Sequence, residues 1–319
     1  MSVPLSIPLW LPLATAIVAA FLPRVLRRTL VAGGMAAVLG WAAAILVGFD
    51  AGAGRLQRVT DETWIGAIGA HYKLGLDGLN VALIAMTALL FLLCLVWALT
   101  RQWHSERRFL ILLAAAETGV LGALMAQDLL LFIGFFDLML IPFLFLTFSW
   151  GEGENPAAAV IKLFIYTLVG SLLMLAGAAA LAVTAGAGPD GATSFVLSDL
   201  ERAGVASGSQ NWILLPAFPL HGWMPDGYRA MPLPVLAIFS AVLSKVAAYG
   251  FLRIVLPVLP DASEHFQTLM LILAICSVLY GSAMAFTTTS TRLVLGYSSV
   301  AQLGFITFGI FALNDDGAQ

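Results

Sequence analysis

The sequence contains few charged residues. Asp, Glu, Lys and Arg make up only 10% of its 319 residues, against roughly 25% in an average soluble domain. Hydrophobic residues account for 61% of the chain, and the mean hydropathy is +0.96. This balance excludes an ordinary soluble protein and is typical of a polytopic membrane protein. The apolar runs are continuous rather than short and alternating, so they indicate helices and not a transmembrane β-barrel.

Cysteine is also scarce, with Cys94 and Cys276 alone, and both fall in apolar stretches where they are expected to be small buried hydrophobes. The sequence shows no Cys/His cluster typical of a metal site and no basic run typical of nucleic-acid binding. The first basic residue, Arg24, follows the first apolar run instead of preceding it. This order favours a retained first helix over a cleaved signal peptide.

The long apolar runs define the predicted fold. A helix that crosses a bilayer needs about 20 apolar residues, and residues 211–224 form a shorter apolar piece. The predicted class is therefore all-α, a polytopic bundle of about nine to ten transmembrane helices, with residues 50–76 as the longest polar loop. The predicted spans are residues 6–22, 29–49, 77–99, 108–126, 129–149, 159–185, 234–258, 266–287 and 293–313.

The distribution of basic residues predicts the topology. If residues 211–224 count as a crossing, loops after odd-numbered helices hold nine Lys and Arg, and loops after even-numbered helices hold five. Cytoplasmic loops carry the excess of basic residues. The N-terminus is therefore expected outside and the first loop in the cytoplasm.

Two ionisable residues lie near the middle of predicted spans, Lys245 and Asp137. A charge at that depth costs from a few to more than ~10 kcal/mol, so such groups usually face a protein interior or a wet pathway. Desolvated Lys245 is expected to lose and regain a proton, unless it is held in a structural ion pair. Asp137 precedes Pro142, which removes one backbone donor from the helix. The alternative for Asp137 is a neutral buried acid bonded to a carbonyl or serine.

Three further polar residues are candidates of a weaker kind. Glu117 lies mid-helix and either carries protons or is a neutral or interface-facing acid. His221 lies in a segment broken by prolines, where it either titrates near neutral pH or anchors the interface beside Trp223. Asp128, at the join of two helices, is interpreted as a helix cap or a surface charge.

Several motifs together resemble one family, the antiporter-like subunits of proton-pumping NADH-quinone oxidoreductase (complex I), and among them subunit M, the chain 4 family. The resemblance runs over residues 70–313. It is carried by KLGLDG at 73–78, FFDLMLIP at 135–142, FPLHGWMPD at 218–226, LSKVAAYGFLR at 243–253 and RLVLGYSSVAQLG at 292–304.

In that family each such subunit carries one proton route. The resemblance implies that Asp137 is the fifth-helix carboxylate that modulates the route, although the family usually has Glu there. It implies that Lys245 is the eighth-helix relay and that Glu117 is the fourth-helix acid facing a neighbouring subunit. His221 falls in the family's seventh-helix break.

The sequence departs from the family pattern in two places. Leu214 stands where the family carries its seventh-helix lysine. Residues 211–223 would span only about 20 Å as a helix, against about 30 Å of hydrocarbon. After the predicted tenth helix the chain stops, whereas the family continues. Two expectations stay open, a chain shortened in the seventh helix and truncated after the tenth, or an incomplete sequence. In either case the chain is expected to be unable to complete a proton transfer alone.

The resemblance also implies an organisation into three parts. Residues 1–107 would hold helices one to three, residues 108–258 a first proton-channel repeat, and residues 259–319 the start of a second repeat.

The expected function is that of a membrane-arm subunit in proton translocation coupled to quinone reduction, with no redox site on this chain. NADH, FMN, iron–sulfur clusters and quinone are expected on partner subunits. The expected partners are the other membrane subunits of complex I, notably subunits L and N, and the lipid of a bacterial inner membrane, with no nucleic acid.

Three alternatives stay open. The chain could be the D-type membrane component of a multisubunit Na⁺/H⁺ antiporter or a membrane component of an energy-converting hydrogenase, which share the proton machinery. The second alternative is a solute carrier that holds its substrate with Lys245 and Asp137. The third is a non-functional fragment.

Overall fold

The computed structural model describes residues 4–50, 56–151, 156–188, 191–214 and 224–313. Most of these residues are helical, as the composition predicts. The helices are α1 (Ser6–Ala19), α2 (Arg24–Val47), α3 (Gly78–Leu99), α4 (Glu106–Met125), α5 (Leu129–Trp150), α6 (Pro156–Ala185), α7 (Leu197–Ala203), α8 (Ser207–Leu214), α9 (Met224–Ala230), α10 (Leu233–Val258), α11 (Pro260–His265), α12 (Gln267–Thr287) and α13 (Thr291–Ala312).

Eight helices of the described residues are long and apolar enough to cross a membrane. They are α2, α3, α4, α5, α6, α10, α12 and α13. The predicted all-α polytopic class is confirmed, and the bounds predicted for α5 and α12 agree with the structure to within one residue.

The first predicted span is shorter than expected. Helix α1 has 14 residues, about 21 Å of rise, against about 30 Å of hydrocarbon. Pro23 explains where the helical path ends, because a proline disfavours helical backbone in the residue before it. Single hydrogen-bonded turns at Pro4–Ile7 and Ala19–Leu22 adjoin the two ends of α1.

The polar loop predicted at residues 50–76 contains an antiparallel β-hairpin. Strand β1 (Gln57–Ile65) pairs with β2 (Ala70–Leu76). The hairpin is fastened to the α4–α5 join, where Leu74 bridges to Ala126 and Gln127 N–H donates to the Lys73 carbonyl at 2.8 Å. Most of β1 is exposed, so it lacks the apolar alternation from which a strand is predicted.

The contacts divide the chain into two compact units, residues 1–149 with 232–242, and residues 150–231 with 243–319. In the first unit, an ion-pair cluster ties the starts of α2 and α4 together. Arg28 donates to both carboxylate oxygens of Glu106, at 2.9 Å from Nε and 2.6 Å from Nη2, and Arg24 Nε donates at 3.0 Å. Trp10 on α1 donates to the Tyr72 hydroxyl of the hairpin at 3.2 Å.

In the second unit, α12 and α13 pack closely along their length. A Cβ on Gly281 would lie 2.7 Å from both Ala301 N and Tyr297 O, so only glycine permits this approach. Gln210 joins α8 to α11, since its Oε1 accepts from Ala262 N–H at 3.1 Å. The predicted three-part division by repeats remains a prediction, because compactness does not report on internal symmetry.

Candidate functional site

Lys245 lies near the middle of α10, with twelve helical residues before it and thirteen after it. The helix is not uniform there. One π-turn covers Phe239–Leu243 immediately before the Lys245 segment, and a second covers Phe251–Val255. Lys245 itself is half-buried, and the neighbouring Ser244 is buried.

The two π-turns are features of α10 that the sequence did not reveal. Such turns occur as single-turn insertions in α-helices, frequently at functional sites. The α10 sequence has no proline between Pro234 and Pro257 to mark them. Their positions on both sides of Lys245 single out this part of α10.

Glu117 is completely buried in the first unit, with 0% of its surface exposed. Neither carboxyl oxygen has a hydrogen-bond partner in the part of the chain that the structure describes. An ionised carboxylate in such a place would be far costlier than a neutral one, and even a neutral orphaned group costs about 1–3 kcal/mol. The predicted mid-helix acid is therefore an interior group of the first unit.

Helix α4 packs against α1, α3 and α5. A Cβ on Gly119 would lie 2.6 Å from the Met139 nitrogen, so α4 and α5 are in backbone contact there. Glu117 lies two residues from Gly119, which is about half a helical turn. It therefore faces away from α5.

Asp137 lies on α5, half-buried, and on the face that turns away from α4. Phe135 and Met139 form the α4 contact, and Asp137 is two residues from each, about half a turn away. The structure therefore does not bring Asp137 and Glu117 together. Pro142 lies inside α5 downstream of Asp137, as the sequence predicts.

His221 lies outside the described residues. The same holds for residues 215–223, to which the predicted break in the helix belongs. The segment is flanked by α8, which ends at Leu214, and by α9, which begins at Met224. Leu214, which the motif resemblance places at the position of the family's seventh-helix lysine, is the last described residue before this segment.

Asp128 caps α5, as predicted, but it is fully buried rather than a surface charge. Its carboxylate accepts from Leu131 N–H at 3.0 Å and from His71 N–H of the hairpin at 2.9 Å. Burial raises the pKa of Asp128 above its ordinary value, against the opposing effect of these backbone hydrogen bonds.

The hairpin carries a small charged cluster around Asp61. His71 Nδ1 lies 2.7 Å from Asp61 Oδ1, and Lys73 Nζ lies 3.2 Å from Asp61 Oδ2. Burial opposes the charged form of Asp61, but the hydrogen bonds from His71 and Lys73 outweigh it and lower the pKa of Asp61. In the described residues no three His, Cys, Asp or Glu side chains are grouped so that they could hold a metal ion.

The motif resemblance is tested by comparison with known proteins. The family described as NADH:quinone oxidoreductase/Mrp antiporter, TM, matches residues 126–319, more than half of the chain. The chain belongs to this family. The membership confirms the resemblance drawn from the motifs.

Relatives and solved structures agree with the membership. NADH-quinone oxidoreductase subunit M of Rhodobacter capsulatus is 35% identical over 295 residues, which cover 86% of this chain and 56% of the relative. Subunit M of Escherichia coli is 32% identical over 276 residues, which cover 82% of this chain and 54% of the relative. The chain thus spans about half the length of these relatives.

A chain of respiratory complex I from Thermus thermophilus superimposes with a TM-score of 0.84 at 27% identity, covering 97% of this chain and 64% of the other. A chain of the Mrp complex from Dietzia sp. superimposes with a TM-score of 0.81 at 21% identity, covering 98% of this chain and 34% of the other. The second likeness concerns the fold alone.

Proposed function

We propose that the chain is a membrane-arm subunit of a proton-translocating NADH-quinone oxidoreductase and takes part in proton translocation coupled to quinone reduction. The observation that carries the proposal is Lys245 half-way along a spanning helix, between two π-turns. Relatives named as subunit M support it. A lysine at this depth is costly, and such residues mark ion and proton pathways.

Each candidate residue has a role in the proposal. Lys245 relays the proton, because a partly desolvated ammonium releases its proton more readily than one in water. Glu117 carries a proton on the side of α4 that faces away from α5, and Asp137 modulates the charge of the route from α5. His221 contributes to transfer in the segment between α8 and α9.

The proposed assembly supplies the chemistry that this chain lacks. Electron transfer from NADH through FMN and iron–sulfur clusters to quinone takes place on partner subunits. The neighbouring antiporter-like subunits L and N are the proposed partners, in the inner membrane of a bacterium, with the N-terminus of this chain outside.

The test replaces Lys245 in the whole assembly. We expect Lys245→Met, which keeps the aliphatic length and removes the charge, to lower proton pumping by at least about tenfold, because a lost proton-transfer group typically costs more than that. Proton uptake is measured in proteoliposomes during quinone reduction. Lys73→Met, outside the spans, is the matched control and should leave pumping near the parent rate. Undiminished pumping by Lys245→Met would refute the proposal.

A second candidate is a component of an Mrp-type Na⁺/H⁺ antiporter, favoured by the fold likeness to the Dietzia complex. It predicts Na⁺ uptake coupled to a proton gradient without any quinone. The same proteoliposomes decide between the two, because the leading proposal predicts proton movement that requires NADH and quinone and is independent of Na⁺.

A further inference from the structure

Two side chains on neighbouring helices are fully buried and lack hydrogen-bond partners within the described residues. Thr87 on α3 and Glu117 on α4 are both 0% exposed. The hydroxyl oxygen of Thr87 and both carboxyl oxygens of Glu117 lack hydrogen-bond partners within the described residues. Buried polar groups are nearly always hydrogen-bonded, and exceptions need a physical explanation.

The register of α3 and α4 places these two residues at the same depth. Asn80 Nδ2 donates to the Leu124 carbonyl at 3.0 Å, so the start of α3 lies beside the end of α4. The helices run antiparallel, joined at their other ends by residues 100–105. Thr87 is seven residues after Asn80, and Glu117 is seven residues before Leu124, so each lies about 10 Å from that contact.

The same spacing places both residues on the facing sides. Seven residues are close to two full turns, and the drift is only about 20°. Thr87 therefore lies on the side of α3 from which Asn80 reaches α4, and Glu117 lies on the side of α4 that carries Leu124. Thr87 and Glu117 face one another between the two helices.

Three threonines of other spans behave differently from Thr87, whereas Thr118, next to Glu117 on α4, is fully buried with an unpartnered hydroxyl as Thr87 is. The hydroxyls of Thr147, Thr167 and Thr184 each donate to a carbonyl one turn earlier in their own helix, at 2.8, 2.8 and 2.7 Å. The Thr87 hydroxyl makes no such bond. It is thus available to a group between α3 and α4.

We propose that Thr87 and Glu117 together bind internal water, and that Thr87 positions this water against a protonated Glu117. A buried water typically makes about three hydrogen bonds to polar groups that are otherwise unsatisfied, and the hydroxyl and the two carboxyl oxygens supply that set. The water gives the Glu117 proton a route out of the α3–α4 contact. This assignment deepens the proposed function and rests on it for the direction of proton movement, but the water site itself does not depend on pumping.

The test reads the Glu117 carboxyl directly by infrared difference spectroscopy on the purified assembly, with exchange from H₂O into D₂O as the probe. The protonated carboxyl C=O band of Glu117 is the one lost in Glu117→Gln. Thr87→Val removes the hydroxyl at nearly constant volume. We expect this variant to shift the band to higher wavenumber, since the carboxyl loses a hydrogen bond, and to slow its exchange with D₂O.

Two variants are matched controls. Thr87→Ser retains the hydroxyl and should retain the parent band and exchange rate. Thr147→Val makes the same chemical change at another buried threonine, whose hydroxyl bonds to its own helix, and should leave the Glu117 band unmoved. If Thr87→Val does not assemble, Thr87→Cys, with its much weaker hydrogen-bonding group, serves in its place.

An unchanged band and exchange rate in the hydroxyl-deficient variant would overturn the proposal, as would the absence of any protonated carboxyl band assignable to Glu117. The water site and the pumping function can fail separately. A shifted band with undiminished pumping would support the water site and remove Glu117 from the pumping route.

Discussion

Two buried glutamates on one helix, Glu106 and Glu117, differ in their hydrogen-bond partners. Glu106 opens α4 and is held by the guanidinium groups of Arg24 and Arg28. Glu117, three turns further on, is more deeply buried and has no described partner. The hydrogen bonds from both arginines join the start of α4 to the start of α2 near the protein surface, where Arg24 is 56% exposed. The cost of Glu117 is instead consistent with a group that exchanges protons.

At the same scale, Asp61 predicts an acid-sensitive hairpin. Its pKa is lowered below the ordinary value of 3.8. A carboxyl group with a lowered folded pKa stabilises the fold above its unfolded pKa, and this contribution is lost as pH falls through the folded pKa. We expect the protection of the β1 and β2 amides from hydrogen exchange, taken as the ratio of the intrinsic to the observed rate, to fall as the pH is lowered below about 3.8.

The control for this prediction is Asp61→Asn, which removes the charge at constant size. It should abolish the acid-dependent step and leave exchange in α12 unaffected. An identical acid profile in parent and variant would show that His71 and Lys73 do not stabilise the hairpin through Asp61.

The sequence was sufficient to find Glu117 and Lys245, because an ionisable residue inside an apolar run stands out at once. It was insufficient for Thr87, since a neutral hydroxyl in a span normally bonds to its own helix. The sequence shows the seven-residue spacings from Asn80 to Thr87 and from Glu117 to Leu124. These spacings place Thr87 opposite Glu117 only because Asn80 contacts Leu124, and that contact is tertiary.

At the scale of the elements, length and hydropathy predicted the spans well and the local irregularities poorly. The bounds of α5 and α12 follow from uninterrupted apolar runs. The hairpin was missed because β1 is mostly exposed, and the π-turns of α10 were missed because no residue type marks them. Both depend on contacts between elements, which a reading of local pattern does not contain.

The α4–α5 contact yields a prediction about packing. A Cβ on Gly119 would meet backbone atoms of Met139 at 2.6 and 2.7 Å, and backbone gives way less easily than a flexible side chain. We expect Gly119→Ala to destabilise the protein by about 1–3 kcal/mol, measured as a lower midpoint of thermal unfolding in detergent.

Gly134→Ala is the matched control, because a Cβ there meets no atom within 4 Å. It should be neutral or stabilising by roughly 0.5–1 kcal/mol, since alanine is the better helix former. Equal midpoints for the two variants would contradict the close approach of α4 and α5.

At the scale of the molecule, the first unit has two chemically different ends. The starts of α2 and α4 and the end of α3 carry Arg24, Arg27, Arg28, Arg101, Arg107 and Arg108. The hairpin lies at the opposite end, beside the start of α3 and the α4–α5 join. Since the excess of basic residues marks the cytoplasmic side, the hairpin side is the outer one in the proposed topology.

Cysteine labelling tests this orientation in intact cells. We expect Thr63→Cys in β1 to react with a membrane-impermeant maleimide, and Ser105→Cys at the start of α4 to react only after the cells are permeabilised. Both positions are exposed, so access to the reagent is the variable that differs. The parent chain, with Cys94 and Cys276, gives the background, and the reverse labelling pattern would invert the topology.

The π-turns of α10 also bear on how relatives of this chain are compared. Each inserts one residue beyond an α-turn, which rotates everything after it by about 100° relative to a regular helix. A helical wheel drawn from Leu233 through Val258 therefore misplaces Lys245 by about 100°. It misplaces Val258, which follows both π-turns, by about twice that angle. Substitutions between Ser244 and Gly250 are best chosen by counting from Ser244, not from the first residue of α10.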